Sequence, residues 1–314
     1  MTIRFRMPAP LFLSSGDLIA DRRFEFARDL QLRGDLAAAA EVLEQAIEVA
    51  PHFASAWFSL GEIREELGER DAAVAAFQRA RAADPNDRHG AGVWLMRLGA
   101  TPVTAMPPAY VRSLFDQYAP RFEVELTERL HYRAPALLFK AVLAVRAAEK
   151  KPAFFKRAID LGCGTGLGAA AFSNNVEIFI GVDLSPGMVE QARETGLYAA
   201  LEVDDMTAAL VRQADSSAHL VLAADAMVYV GELAPVLVEV QRVLASGGLL
   251  AFTVETHDGD GVIMGEGLRT AHSADYIRAA VATAGLSLAH LAPANPRTEG
   301  KVPVRGLVIV ATKT

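Results

Sequence analysis

Apolar positions in the first hundred residues recur at three- and four-residue intervals, and the pattern then repeats. Residues 54–87 read ASAWFSLGEIREELGERDAAVAAFQRARAADPND, marked by Trp57, Leu60, Gly61, Ala73, Phe77, Ala80 and Pro85. Shifting back 34 positions gives Phe26, Ala27, Gly34, Ala39, Leu43, Ala46 and Pro51, with Arg23 in place of the tryptophan. Paired antiparallel helices are expected, since small residues at 27, 39, 46, 61, 73 and 80 allow close approach and Pro51 and Pro85 end each unit. A single further helix, about Gly92–Leu98, turns Trp94 and Leu95 inward as a cap. Beyond the proline-rich, nearly uncharged stretch 100–108 the rhythm changes. Short apolar runs at Phe154–Ile159, Glu177–Asp183, Leu197–Val203, Ala218–Ala224 and Leu249–Val254 predict strands. Between them, helices are expected from Ala169, from Ser185-Pro186 and over Leu233–Leu244. After a glycine-rich segment, His257–Thr270, read as a mobile loop, comes a helix over Ala274–Ala284 that Gly285 ends. Two last apolar runs, Leu286–Leu291 and Val304–Ala311, predict an antiparallel hairpin.

The chemistry gathers at Ile159–Ala169, IDLGCGTGLGA, where Gly162, Gly164, Gly166 and Gly168 fall at alternate positions between a strand and a helix. Glycines there remove side chains where a ligand approaches the backbone, and the helix start offers N–H groups to a polar ligand. Gly164, Gly166 and Ala169 fit a dinucleotide fingerprint only when forced into it. Asp160, two residues before the first glycine, gives D-x-G-x-G-x-G instead. That string resembles motif I of the class I S-adenosylmethionine-dependent methyltransferases. GVDLSPGMVEQAR, from Gly181, resembles their motif II. Residues 54–87 and their earlier copy resemble tetratricopeptide repeats.

The resemblance implies an α/β fold, a Rossmann-like seven-stranded sheet with its last strand antiparallel and helices on both faces, preceded by an all-α tetratricopeptide-repeat domain. It implies boundaries at 1–100 for the repeats, 101–109 for a linker and 110–314 for the methyltransferase domain. The cofactor would be S-adenosyl-L-methionine. Asp160 with the backbone of Gly162, Gly164 and Gly166 would hold its amino-acid end, Asp183 its ribose hydroxyls, and Leu184 would lie beside the adenine. Of the adjacent Asp204 and Asp205, Asp205 is favoured for the adenine amino group, with Met206 over the ring, although Asp-Asp also suits a turn. Ala224 would border the cofactor at the end of the fourth strand. Phe115-Asp116-x-Tyr118-Ala119 resembles a segment that folds over the cofactor in small-molecule methyltransferases, which makes Tyr118 and Phe122 lid aromatics. The same spacing equally describes a core stripe. Ala245-Ser246-Gly247-Gly248 departs from the family's L-x-P-G-G turn by lacking the proline.

Methyl transfer from a sulfonium is an in-line displacement, so alignment supplies much of the rate. A base is needed only when the acceptor must lose a proton, and Asp225, Tyr229, His272 and His131 are the candidates. Each is equally a packing, capping or positioning residue.

Bulk properties narrow the partners. The 314 residues carry a net charge of −7, so no global basic field favours nucleic acid. The Asn/Asp-Pro-Pro-Tyr/Phe turn of amino-directed nucleic-acid methylases is also absent. The single cysteine, Cys163, excludes an internal disulfide and a cysteine-rich zinc site, and no metal is expected. No apolar run reaches the roughly 18–20 residues of a membrane span. Met1–Leu13 is broken by Pro8 and Pro10, unlike a secretory leader, so a cytoplasmic protein is expected.

The acceptor is expected to be a small molecule or a protein- or carrier-borne group, with the repeats recruiting a partner; the sequence leaves the oligomeric state open. Two other readings stand beside this one: an NAD-linked oxidoreductase, and a non-catalytic scaffold that keeps the fold. Arg297, Lys301 and Arg305 hint at an anionic acceptor, and equally suit a solvated loop.

Overall fold

A computed structural model describes residues 11–119, 122, 131–265 and 267–314. Met1–Pro10 and residues 120, 121 and 123–130 lie outside the described residues. That removes most of the segment read against a secretory leader and part of the stretch leading into the sheet. The chain forms two compact units, one ending at Ser113 and the other beginning at Leu114. No helix among the described residues is long and apolar enough to cross a membrane.

The first unit pairs α1 (Leu18–Leu32) with α2 (Leu36–Val49) and α3 (Ala54–Glu66) with α4 (Arg70–Ala83), and α5 (Ala91–Arg97) follows. The Asp17 carboxylate starts α1 by accepting the backbone N–H groups of Ile19 and Ala20. At Gly61 a β-carbon would lie 2.6 Å from the Phe77 ring, which itself stacks on Trp94 at 5.2 Å. The glycine is therefore what lets α3 and α4 touch. Trp94 and Leu95 are buried, as the capping pattern predicts. Phe26 departs from the pattern: it is 54% exposed, whereas Leu60 at the same place in the next repeat is 5% exposed.

After α6 (Pro108–Tyr118) and α7 (Ala134–Ala148), the second unit alternates strand and helix. Its strands begin with β1 (Phe155–Leu161), β2 (Val176–Asp183), β3 (Ala200–Val203), β4 (Ala218–Ala223) and β5 (Leu244–Glu255). They continue as β6 (Val262–Met264), β7 (Thr270–His272), β8 (Ser287–Ala294), β9 (Thr298–Glu299), β10 (Val302–Pro303) and β11 (Gly306–Thr312). The main path of the sheet is β3-β2-β1-β4-β5-β11-β8, with β11 antiparallel to both of its neighbours. A purely parallel dinucleotide sheet would have no such inserted strand.

Successive residues of the central strands are buried on opposite faces. Leu220 and Leu222 pack with Leu138 and Val142 of α7, while Val221 and Ala223 pack with the helix Ala234–Val243. Strands buried on both sides read as unbroken apolar runs, which is why the sequence shows them clearly. The turn expected at Ala245–Gly248 falls inside β5 as an irregularity. Leu244 pairs with Ala218 and the ladder resumes at Leu249 opposite Leu220, with Gly247 at φ +72°. The segment read as a loop between His257 and Thr270 contains β6, which pairs with β7, and β7 pairs with the last residue of β5, Glu255.

Candidate functional site

The glycine turn leaves the carboxyl end of β1 with Gly162, Gly164 and Gly166 at φ +66°, +53° and +99°. Only glycine adopts such a run without strain. A β-carbon at Gly162 would also strike that of Ala226 at 2.5 Å. Cys163, between two of these glycines, is buried, and desolvation raises its thiol pKa, so it is a neutral filler.

Two carboxylates flank this turn. Asp183, at the end of β2, accepts the N–H of Gly164 at 2.9 Å and that of Ser185 at 2.9 Å. Burial raises its pKa, and those two N–H groups oppose the rise. Asp160 lies beneath the turn at 1% exposure and accepts the Tyr198 hydroxyl at 2.7 Å. Desolvation pushes it up to about 6, the hydroxyl works against this, and the nearby Asp183 charge adds to it. A β-carbon at Gly168 would fall 2.7 Å from its Oδ2, so this glycine makes room for the acid.

The helix after β2, α9 (Pro186–Glu194; α8 is Leu167–Phe172), is capped by Ser185, whose Oγ accepts the Met188 N–H at 3.1 Å. The same hydroxyl donates to Asp116 of α6 at 2.5 Å. Leu184 is half-buried beside it. Tyr118 is buried and packs with Ala119 and Met188. The Phe122 ring comes within 3.6 Å of where a Gly164 β-carbon would stand, and it meets Phe115 edge-on at 6.0 Å. Phe115 in turn meets the Tyr229 ring at 5.2 Å. An aromatic wall thus stands before the glycine turn.

At the end of β3 the two aspartates divide the work. Asp204 pairs with Arg212 at 2.6 Å, while Asp205 caps the helix Met206–Val211 through Thr207 and Ala208. Met206 is half-buried as its first residue.

Beyond β4, Ala224 accepts the Tyr132 hydroxyl at 3.2 Å. Asp225 follows at φ +59°, its N–H held by Thr253 Oγ1 at 2.8 Å and its carboxylate by Arg297 at 2.5 and 2.6 Å. Arg297 is 2% exposed and also pairs with Glu255 and with Glu299 at 3.1 Å. Burial opposes its charge, yet the three carboxylates outweigh burial and hold its pKa above the usual value. Arg269 joins this cluster through Glu299 and donates to the Tyr229 hydroxyl at 3.3 Å. His272 is fully buried, with Nε2 3.0 Å from the Gly231 carbonyl, and desolvation lowers its pKa to about 4. Its imidazole is therefore neutral at pH 7. His131 is exposed at φ +46°.

The solvated-loop reading of Arg297 is thus corrected. It sits on a hairpin that carries it inward to Asp225, whereas Arg305 makes an exposed pair with Asp258 at 2.6 Å. Tyr198, Tyr132, Arg269, Glu255 and Glu299 belong to the site without any local motif. Tyr132 reaches Ala224 across 92 positions, Tyr198 reaches Asp160 across 38 and Arg269 reaches Glu299 across 30, beyond the reach of spacing arguments.

Residues 159–252 match the methyltransferase-domain family, and residues 24–88 match the tetratricopeptide-repeat family. The chain joins a methyltransferase domain to tetratricopeptide repeats. The domain is 39% identical over 90 residues to methyltransferase-like protein 27 of Homo sapiens, covering 28% of this chain and 35% of that one. It is 42% identical over 72 residues to dimethylglycine N-methyltransferase of Parasynechococcus marenigrum (strain WH8102), covering 23% of this chain and 25% of that one. The matches therefore span about a third and a quarter of these relatives' lengths. Among solved structures, 1,6-didemethyltoxoflavin-N1-methyltransferase of Burkholderia thailandensis is 17% identical with a TM-score of 0.47, over 62% of this chain and 87% of that one. The methyltransferase-family match begins at Ile159, so it takes in the glycine turn, Asp183 and the end of β4.

Proposed function

We propose that this chain is an S-adenosyl-L-methionine-dependent methyltransferase acting on a small-molecule or a carrier- or protein-borne acceptor. The carrying observation is the glycine turn at the end of β1, bound through Gly164 to the β2 acid Asp183, in a sheet with an antiparallel strand set inside its edge. The residues fit that cofactor. Glycines at Gly162, Gly164 and Gly166 keep a backbone cradle free of side chains, and Asp183 offers two carboxylate oxygens where a diol would need acceptors. A pyrophosphate would be repelled by the Asp160 carboxylate before the glycines.

The cofactor, when bound, supplies a methyl group on a positively charged sulfur. Asp160 and the turn from Gly162 to Gly166 hold the amino-acid end. Asp183 and Leu184 hold the ribose and the adenine edge, with Asp205 and Met206 at the far end of the base. Tyr118, Phe115, Phe122 and Tyr229 exclude water on the side facing the turn, and Ala224 borders the reacting end. Asp225 and Tyr229, fixed by Arg297 and Arg269, are the nominated acceptor-side groups. His272 and His131 are the remaining base candidates, and burial of His272 beside the Gly231 carbonyl suits a positioning role.

The repeats, taken as a module over 1–100 joined by the linker 101–109 to the domain 110–314, recruit a partner or carrier. Incubation with methyl-labelled S-adenosylmethionine and a panel of amines, carboxylates, phenols and proteins tests the proposal. Label transfer to one class, lost in Asp183→Ala, supports it. Cofactor binding with no transfer to any of them favours a scaffold.

A further inference from the structure

The first helix of the repeat unit carries an open apolar face. Leu18, Ile19, Phe26 and Leu32 of α1 are 66, 60, 54 and 77% exposed, opposite the buried Ala20, Phe24 and Ala27. No other helix among the described residues has more than one exposed large apolar side chain.

The repeat says what this face is for. One period later, Ile19, Arg22, Phe26 and Asp29 correspond to Phe53, Ala56, Leu60 and Ile63, each at most 5% exposed. Those residues pack in the core shared with α1 and α2. The same stacking surface lies open on α1, where an end repeat needs a polar outer face to stay single in solution.

The charges on this face read the same from either end. Exposed Arg22 and Asp29 lie symmetrically about a point between Glu25 and Phe26. Set antiparallel against a second copy, Arg22 meets Asp29, and Phe26 lies beside its own counterpart. A parallel pairing would set Arg22 against Arg22 and Asp29 against Asp29. The spacing 19, 22, 26, 29 is the three-four seam of a helix pair.

We propose that α1 is a homodimer interface, in which two copies pair their first helices antiparallel about a two-fold axis between Glu25 and Phe26. A 15-residue helix spans roughly 22 Å, so the contact is small beside the ~800 Å² per partner of a stable complex. The dimer is therefore concentration-dependent and sensitive to salt.

Sedimentation of the full chain across the micromolar range tests it. The wild type is expected to dimerise, Ile19→Glu with Phe26→Glu to abolish the dimer, and Arg22→Asp or Asp29→Arg each to weaken it about tenfold. Arg22→Asp combined with Asp29→Arg restores the dimer, and so does an equimolar mixture of the two single variants. Circular dichroism checks that each variant keeps its helices. A wild type that stays monomeric throughout, or a dimer whose dissociation constant the charge variants do not move, overturns the proposal.

Discussion

A carboxylate with no water around it is held by whatever the chain puts beside it, and Asp160 and Asp183 show two ways of doing so. Asp183 takes two backbone N–H groups, whereas Asp160 has the Tyr198 phenol and the Ala169 N–H and still stays largely a desolvated acid. Its pKa of about 6 against an unfolded value of 3.8 means the folded chain binds the Asp160 proton more tightly than the unfolded chain does. That contribution is fully present at acid pH and is lost as the pH rises towards 6. Relative to Asp160→Asn, the wild type should therefore lose about 3 kcal/mol of stability between pH 3.5 and 7, as read by urea unfolding at each pH. An unchanged difference between the two proteins across that range would contradict the buried, strained acid. Asp160 itself is legible as the acid before the glycines. Tyr198 is not, because a phenol 38 positions away enters the site only through the packing of the segment before β3.

At the scale of elements, two contacts make sharp predictions. Gly61→Val drives a side chain into the Phe77 ring, which Trp94 blocks from yielding, and should cost about 2 kcal/mol. Both tryptophans of the chain, Trp57 and Trp94, lie in the repeat unit, so their fluorescence during denaturation reports this loss directly. Arg297→Ala leaves the Asp225 carboxylate without its cation and Glu255 and Glu299 sharing Arg269 alone, and should destabilise the second unit by about 3–5 kcal/mol. Circular dichroism of the thermal transition reads that effect. The strands and the capped helices were legible because they depend on near neighbours, such as Ser185 before Pro186 or Gly285 at φ +76° closing its helix. The β9–β10 hairpin was not. Its run Asn295–Arg305 is polar and reads as loop, and the burial of Arg297 just before it depends on acids at the ends of β4 and β5.

For the whole molecule, the order of the strands decides more than any motif. The last two apolar runs predicted an antiparallel pair, and the structure inserts the final strand between β5 and β8, antiparallel to both. The sequence could not show that β6 and β7 would pair at the end of β5, since three-residue strands in a glycine-rich segment leave no period to read. The account rests on a cofactor held between the glycine turn and the β2 acid. Titration calorimetry of the full chain with S-adenosylhomocysteine and, separately, with NAD tests it most directly. It predicts one molar equivalent of S-adenosylhomocysteine bound, at least about tenfold weaker binding in Asp183→Ala, and no heat with NAD. Binding of NAD, or S-adenosylhomocysteine binding untouched by Asp183→Ala, would contradict it.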